Sequence, residues 1–300
     1  MMRLGGLAGL LAVVGALGGC ATTTYHLMAT PVVYKDPRLD IVSQIPESER
    51  STRLTDFFAT RRAPVPQGGA GHYGNDEAEA MRLGVARVQL GEPGWTYQQL
   101  SAAAVTSTAK KPLLGQVETV EELGTVGAGP ARTDAEREFV VRIDAHIART
   151  NNPEVVMYVH GYRATFDEVV VMMGSLSAYL QNGAVVAFAW PTGQRFWDYL
   201  TDCPRAEGYA PDVARMIALL AETKARYVNL LAYSCGSPVL ANALAQLRAR
   251  HPEQDRAKRY RIGNVIFVAS DIDLKTFARE HVPAIMALAQ QASVDTQNRP

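Results

Sequence analysis

From Thr133 onward the chain alternates two kinds of segment in a way that few folds can accommodate. Thr133-Asp134-Ala135-Glu136 has the spacing of a capping box, and Phe139, Ile143 and Ile147 continue it as one helical stripe. Short apolar runs then alternate with helical patterns. Val155–Val159 precedes a helix over Thr165–Leu180, and Ala184–Trp190 precedes one over Ala210–Thr223. Tyr227–Ala232 precedes a helix over Pro238–Arg250, and Ile262–Ala269 precedes one over Leu274–Gln290. A strand that is apolar at every position, rather than every second one, buries both faces. Such strands separated by helices predict an α/β architecture, a mostly parallel sheet with helices on both faces.

The N-terminal part is less regular. Residues 21–75 carry Pro31, Pro37, Pro46, Pro64 and Pro66, with strand-like runs at Leu54–Arg61 and Leu83–Leu90. Residues 91–132 are mixed, and Gly124, Gly127, Gly129 and Pro130 mark loops.

The most specific chemistry lies where the Tyr227–Ala232 run meets the next helix. Ala232-Tyr233-Ser234-Cys235-Gly236 is small, any, Ser, any, small, between an apolar strand and an amphipathic helix. This is the layout of a nucleophile elbow, a sharp turn that lifts one serine above the end of a parallel sheet. The turn leaves no room for side chains two residues either side, hence Ala232 and Gly236. Two strands upstream, Met157-Tyr158-Val159-His160-Gly161-Tyr162 ends a strand in His-Gly. In this arrangement the loop after that strand and the residue after the nucleophile each donate a backbone N–H to the oxyanion, which assigns Tyr162 and Cys235. The His160 ring is read as shaping its loop rather than carrying a proton.

An acid at a strand's carboxyl end can orient a catalytic histidine. Asp271 leaves the strand directly and is preferred. Asp273 suits the N-cap of the helix that begins at Leu274. Met172 and Met173 read as core, Trp190-Pro191 as packing beside the site, and Asp198 and Asp202 as a solvated face. No mechanism follows from Thr60-Arg61-Arg62.

The first twenty residues are a targeting segment. Arg3 precedes the apolar run Leu4–Leu17, and Leu17-Gly18-Gly19-Cys20 closes it as a lipobox does. Residues 1–19 are read as a lipoprotein signal peptide, Cys20 as the lipidated residue, residues 20–50 as a tether and residues 51–300 as the domain. The apolar run is short for a bilayer span. Ala21 after the cysteine favours the periplasmic face of the bacterial outer membrane. The chain has 30 basic and 30 acidic residues and no basic stretch, which gives no case for nucleic acid. Cys203 and Cys235 are the other two cysteines. A bridge between them is open in an oxidising compartment, but unpaired thiols are the expectation. No cofactor or metal spacing is present.

Several blocks together resemble a bacterial α/β-hydrolase family catalogued as domain of unknown function 900. They are Val159-His160-Gly161-Tyr162 with Phe166, Phe188-Ala189-Trp190-Pro191 with Tyr199 and Asp202, Asn229 to Gly236, and Ala269 to Asp273 with Phe277. Upstream, Phe58-Ala59-Thr60-Arg61 and Leu83 to Val88 are similar as well. The resemblance covers about residues 50–280. It implies an α/β-hydrolase fold and a serine hydrolase, and it implies no substrate; a carboxylic ester or other acyl substrate is the leading reading of the elbow. The elbow departs from the family's usual His-Ser-Met-Gly.

The catalytic histidine of this fold follows the acid. Beyond Asp271 the one histidine is His281, inside a helical pattern and read as a surface residue. The C-terminal strands of the fold are therefore expected to be missing, with a sheet edge left open. Two readings remain: a lipid-anchored serine hydrolase, or an inactive envelope-binding lipoprotein on a hydrolase scaffold.

Overall fold

The computed structural model describes residues 23–288, apart from 37, 40, 67–70, 109, 181–182 and 251–255. The signal segment and Cys20 lie outside the described residues. One eight-stranded sheet organises the chain, in the order β1-β4-β3-β2-β6-β5-β7-β8. The strands are β1 (Tyr25–His26), β2 (Arg53–Pro64), β3 (Tyr73–Leu90), β4 (Leu114–Thr125), β5 (Val155–Val159), β6 (Ala184–Ala189), β7 (Val228–Tyr233) and β8 (Ile262–Val268). From β2 to β8 along the sheet every pairing is parallel, whereas β2, β3, β4 and β1 form an antiparallel meander.

The helices are the single turns α1 (Val32–Lys35) and α2 (Ile41–Gln44), then α3 (Tyr97–Thr106), α4 (Asp134–Ile147), α5 (Phe166–Tyr179), α6 (Tyr199–Ala206), α7 (Ala210–Leu220), α8 (Gly236–Arg250), α9 (Arg256–Tyr260) and the short α10 (Leu274–Thr276). After α10 the chain makes one π-turn over Phe277–His281 and runs on helically to 288. The capping box at Thr133 and Glu136 forms as expected, and Thr96 and Thr165 start α3 and α5 in the same way.

Two apolar layers sandwich the sheet. Phe139 and Ile143 of α4, Val213 and Ile217 of α7, and Val239, Leu240 and Leu244 of α8 are buried on one face. Val169, Val170 and Met173 of α5 cover the other, joined by Leu100 and Leu27 towards the meander. The α/β class with helices on both faces is thus the observed architecture.

Two expectations change. Residues 91–132 hold α3 and the twelve-residue β4. A register shift between Val117 and Thr119 brings Val117 and Val120 to the same core while Thr119, Glu121 and Glu122 stay exposed, so β4 shows neither an apolar run nor a strict alternation in the sequence. Residues 20–50, expected as a tether, pack on the body in their described part. β1 pairs with β4, Leu27 is buried, and the Tyr34 hydroxyl donates to the Tyr179 carbonyl at 2.7 Å. Among the described residues β8 is the outermost strand on its side of the sheet: Val265 and Phe267 pack inward while Asn264, Ile266 and Val268 are exposed.

Candidate functional site

β7 runs into α8 through Ser234 and Cys235 alone. Ser234 has φ of 47°, a left-handed conformation that a serine adopts only under constraint. Its amide donates to the Val268 carbonyl at 3.0 Å, and its own carbonyl accepts from Ser237 N at 2.9 Å. The sharpness of the turn sets the neighbours. A Cβ on Gly236 would stand 2.5 Å from the carbonyl oxygens of both Val159 and His160. A Cβ on Gly161 would stand 3.0 Å from the Ser234 Cβ and 2.8 Å from the Tyr233 ring. Elbow and His-Gly loop therefore pack backbone to backbone, and both glycines exist for that approach.

The Tyr162 loop is held from several sides. Arg163, next in the chain, has φ of 60°. The buried Arg62 donates to the Ala164 carbonyl at 2.6 Å and to Asn75 Oδ1 at 2.7 Å. The Thr192 hydroxyl reaches the same Ala164 carbonyl at 3.3 Å. Arg62 thus pins the loop that carries Tyr162, which gives Thr60-Arg61-Arg62 a structural meaning that adjacent residues in sequence could not reveal. Among the described residues neither the Tyr162 nor the Cys235 backbone N–H has an intramolecular hydrogen-bond partner.

His160 is buried and stacked on Trp190, ring centroids 5.1 Å apart. Its Nδ1 lies 2.6 Å from the Gly161 carbonyl, so the proton sits on Nδ1. Burial, and then the Arg62 charge, push its pKa down to about 3, so the ring stays neutral. The Trp190 indole donates to the His160 carbonyl at 2.8 Å. His160 therefore shapes its loop, as the sequence suggested.

The two aspartates separate cleanly. Asp273 Oδ1 accepts from Thr276 N at 2.9 Å and caps α10. Asp271 stays at the elbow: its amide lies 3.5 Å from the Ser234 carbonyl, and its carboxylate accepts the Tyr199 hydroxyl at 2.8 Å. Asp198 and Asp202 are not a solvated face. The buried Asp202 accepts from Gly193 N at 2.5 Å, and Asp198 accepts from Arg195 N at 3.1 Å. Both carboxylates accept backbone amides of the loop after β6 and so tie that loop to the start of α6.

Cys203 and Cys235 form a disulfide, with Cα atoms 5.3 Å apart. This corrects the expectation of unpaired thiols. α6 packs beside the elbow and brings together two cysteines that are 32 residues apart in sequence. Asp271 Oδ2 lies 3.6 Å from Cys235 Sγ and Ser234 Oγ lies 3.9 Å from it. A bridged sulfur has no proton to donate, so both are contacts rather than hydrogen bonds. Cys203, Cys235 and Asp271 also form a cluster close enough to hold a metal ion, with ligand atoms within 4.8 Å. Joined to each other, the two sulfurs offer no thiolate.

Beside the elbow is a cavity of about 440 Å³, lined by Tyr162, Arg163, His160 and Tyr233, and by Thr24 and His26 from the N-terminal segment. Ser234 borders it through Gly161 and Tyr233 without being part of its wall. Thr24 and His26 carry no signal in the sequence, since their place depends on β1 joining the far side of the sheet.

No described histidine lies within hydrogen-bonding distance of Ser234 Oγ or the Asp271 carboxylate. His281 is buried, with its ring 6.4 Å from that of Phe277. It is therefore not the surface residue expected. The helix runs on regularly to residue 288, and His281 shares its buried stripe with Ala284 and Leu288, three and seven residues on.

The family model for α/β-hydrolases of unknown function, DUF900, matches residues 135–294. The chain belongs to this α/β-hydrolase family. The match takes in β5 to β8, and with them His160–Tyr162, Ser234 and Asp271. Comparison with curated proteins gave no match, and neither did comparison with solved structures.

Proposed function

We propose that this α/β-hydrolase family member is a lipid-anchored serine hydrolase of the bacterial cell envelope, acting on a carboxylic ester or related acyl substrate. The observation that carries the reading is Ser234 at φ 47° between β7 and α8, packed against the Gly161–Tyr162 loop. Ser234 Oγ attacks the acyl carbon, and the oxygen of that carbonyl gains charge where the Tyr162 and Cys235 N–H groups converge. The bond to the leaving alcohol breaks, the serine proton departs with that alcohol, and water cleaves the acyl-serine. Asp271 is the acid of this scheme.

Cys20 carries the lipid, and the periplasmic face of the outer membrane is the assigned location. The Cys203–Cys235 bridge supports export, because disulfides persist in oxidising compartments. Among the described residues no helix is long and apolar enough to cross a membrane.

One observation favours the second reading, a non-catalytic envelope-binding protein: no described imidazole meets Ser234. The readings part in one experiment. A fluorophosphonate probe should label Ser234, and Ser234→Ala should abolish the label. Turnover of a p-nitrophenyl ester that Ser234→Ala removes supports the hydrolase. A protein that neither labels nor turns over is the binding protein.

A further inference from the structure

We infer that the rim around the elbow is a membrane-docking face, and that the acyl ester it serves is held in a phospholipid bilayer. This deepens the hydrolase reading of Ser234 and rests on it, together with acylation of Cys20.

Among the described residues five large apolar side chains are more than 60% exposed, and four surround this site: Phe196 at 82%, Trp197 at 65%, Leu200 at 75% and Leu274 at 77%. Single exposed apolar residues are ordinary on a protein surface. These four sit on two short segments tied to each other and to the nucleophile. Tyr199, beside Leu200, donates its hydroxyl to Asp271, three residues before Leu274. Tyr162 donates to the Arg195 carbonyl, beside Phe196, and its ring packs edge-on against Tyr199 at 5.5 Å. An apolar patch of this kind marks an interaction surface. Its charge is mixed, which suits a zwitterionic headgroup layer. Arg163, Arg195, Lys275 and Arg279 are exposed on the segments nearest the elbow beside the exposed Asp271, Asp273 and Glu280. Arg195 pairs with Asp198 at 3.4 Å, and its guanidinium lies 5.9 Å from the Trp197 ring centroid. Trp with Arg is the pairing that settles at headgroup depth, ring inward and charge in water.

The occupant follows from where the chain enters. Thr24 lines the cavity together with Tyr162 and Tyr233. Cys20 precedes Thr24 by four residues. An extended chain spans about 3.5 Å per residue, so the acylated residue stands at most about 14 Å from the cavity wall. A lipid there fixes the elbow side of the molecule at the bilayer surface. Apolar side chains lying in the interface are buried some 5–10 Å, the depth at which phospholipid ester bonds lie. Ser234 then meets its substrate without extracting a whole lipid from the membrane.

The test uses the full chain, extracted from membranes with its lipid and reconstituted into phosphatidylethanolamine–phosphatidylglycerol vesicles doped with bromine-labelled phosphatidylcholine. Trp197 is one of three tryptophans, and Trp190 is fully buried. Bromolipid should quench tryptophan emission, and Trp197→Phe should remove the quenched component. With Phe196, Trp197 and Leu200 all changed to Ser, hydrolysis of vesicle-borne phospholipid should fall at least tenfold, while fluorophosphonate labelling of Ser234 stays unchanged. Quenching without labelling upholds docking and overturns the hydrolase reading. Labelling without Trp197 quenching overturns docking and leaves the hydrolase reading standing. Absence of the protein from the membrane fraction overturns docking as well. So does a dimer in detergent that the triple variant dissolves, since a second copy would then cover the face.

Discussion

Removing the Cys203–Cys235 bridge tests how firmly α6 is tied to the elbow. The bridge closes a loop of 32 residues. The chain-entropy relation gives about 12.4 cal/mol/K for that length, or about 3.7 kcal/mol at 25 °C. At about 2–4 °C per kcal/mol for a domain of this size, the double variant Cys203→Ala, Cys235→Ala should melt roughly 7–15 °C below the oxidised protein. Alanine keeps the residue 235 backbone N–H, so the N–H proposed to hold the oxyanion survives in covalent terms. Thermal unfolding should be followed by circular dichroism with and without dithiothreitol. The oxidised wild type should lose stability on reduction and approach the variant, while the variant should not respond to reductant. A loss below about 1 kcal/mol would mean that α6 is held by packing and by the Asp202–Gly193 contact, and the loop-closure reasoning would fail. A reductant response in the variant would show that the thiol reagent acts elsewhere.

Gly236→Ala places a methyl 2.5 Å from two backbone oxygens, so it should cost about 1–3 kcal/mol in urea unfolding and slow fluorophosphonate labelling by pulling the His-Gly loop off the elbow. Asp56 is buried on β2, and burial, only partly offset by the Ser177 hydroxyl, raises its pKa to about 8. The folded state then holds a proton that the unfolded chain releases above about pH 4, so stability is full below that pH and falls by roughly 1.4 kcal/mol per unit up to about pH 8. Asp56→Asn should flatten this slope in urea midpoints measured across pH 4–9; an unchanged slope refutes the assignment. Tyr199→Phe removes the hydroxyl donated to Asp271 and should lower ester turnover severalfold while leaving the melting temperature within about 2 °C, since an exposed hydrogen bond contributes little to folding.

Much of the parallel half of the sheet was legible in the sequence because its signals are local. A strand buried on both faces is apolar at every position, and a capping box announces itself within four residues, as at Thr133. Gly236 and Gly161 mark backbone contacts that leave no room for a Cβ. What escaped notice depends on partners distant in sequence. β4 is half polar because one of its faces meets water. Arg62 reads as one more charge until the Ala164 carbonyl is placed beside it. Cys203 and Cys235 look unpaired until α6 folds back. His281 reads as a surface residue because it is polar, yet it stands three and seven residues before the buried Ala284 and Leu288 and so shares their stripe.

The order in which the strands are made also has a consequence. β2 leaves the ribosome early, and its parallel partner β6 follows far later: the Thr60 hydroxyl and the Ala189 carbonyl that it meets at 2.7 Å are 129 residues apart. The meander of β2, β3 and β4 can close long before then, holding Phe57, Phe58 and Ala59 on an unsatisfied border. The segment matched to the family begins at residue 135, beyond this meander, yet β6 has no other neighbour on that side. The stretch of chain that defines the kinship is thus shorter than the stretch that must condense together. A fragment beginning at residue 135 would expose the wall of β6 and should aggregate instead of folding.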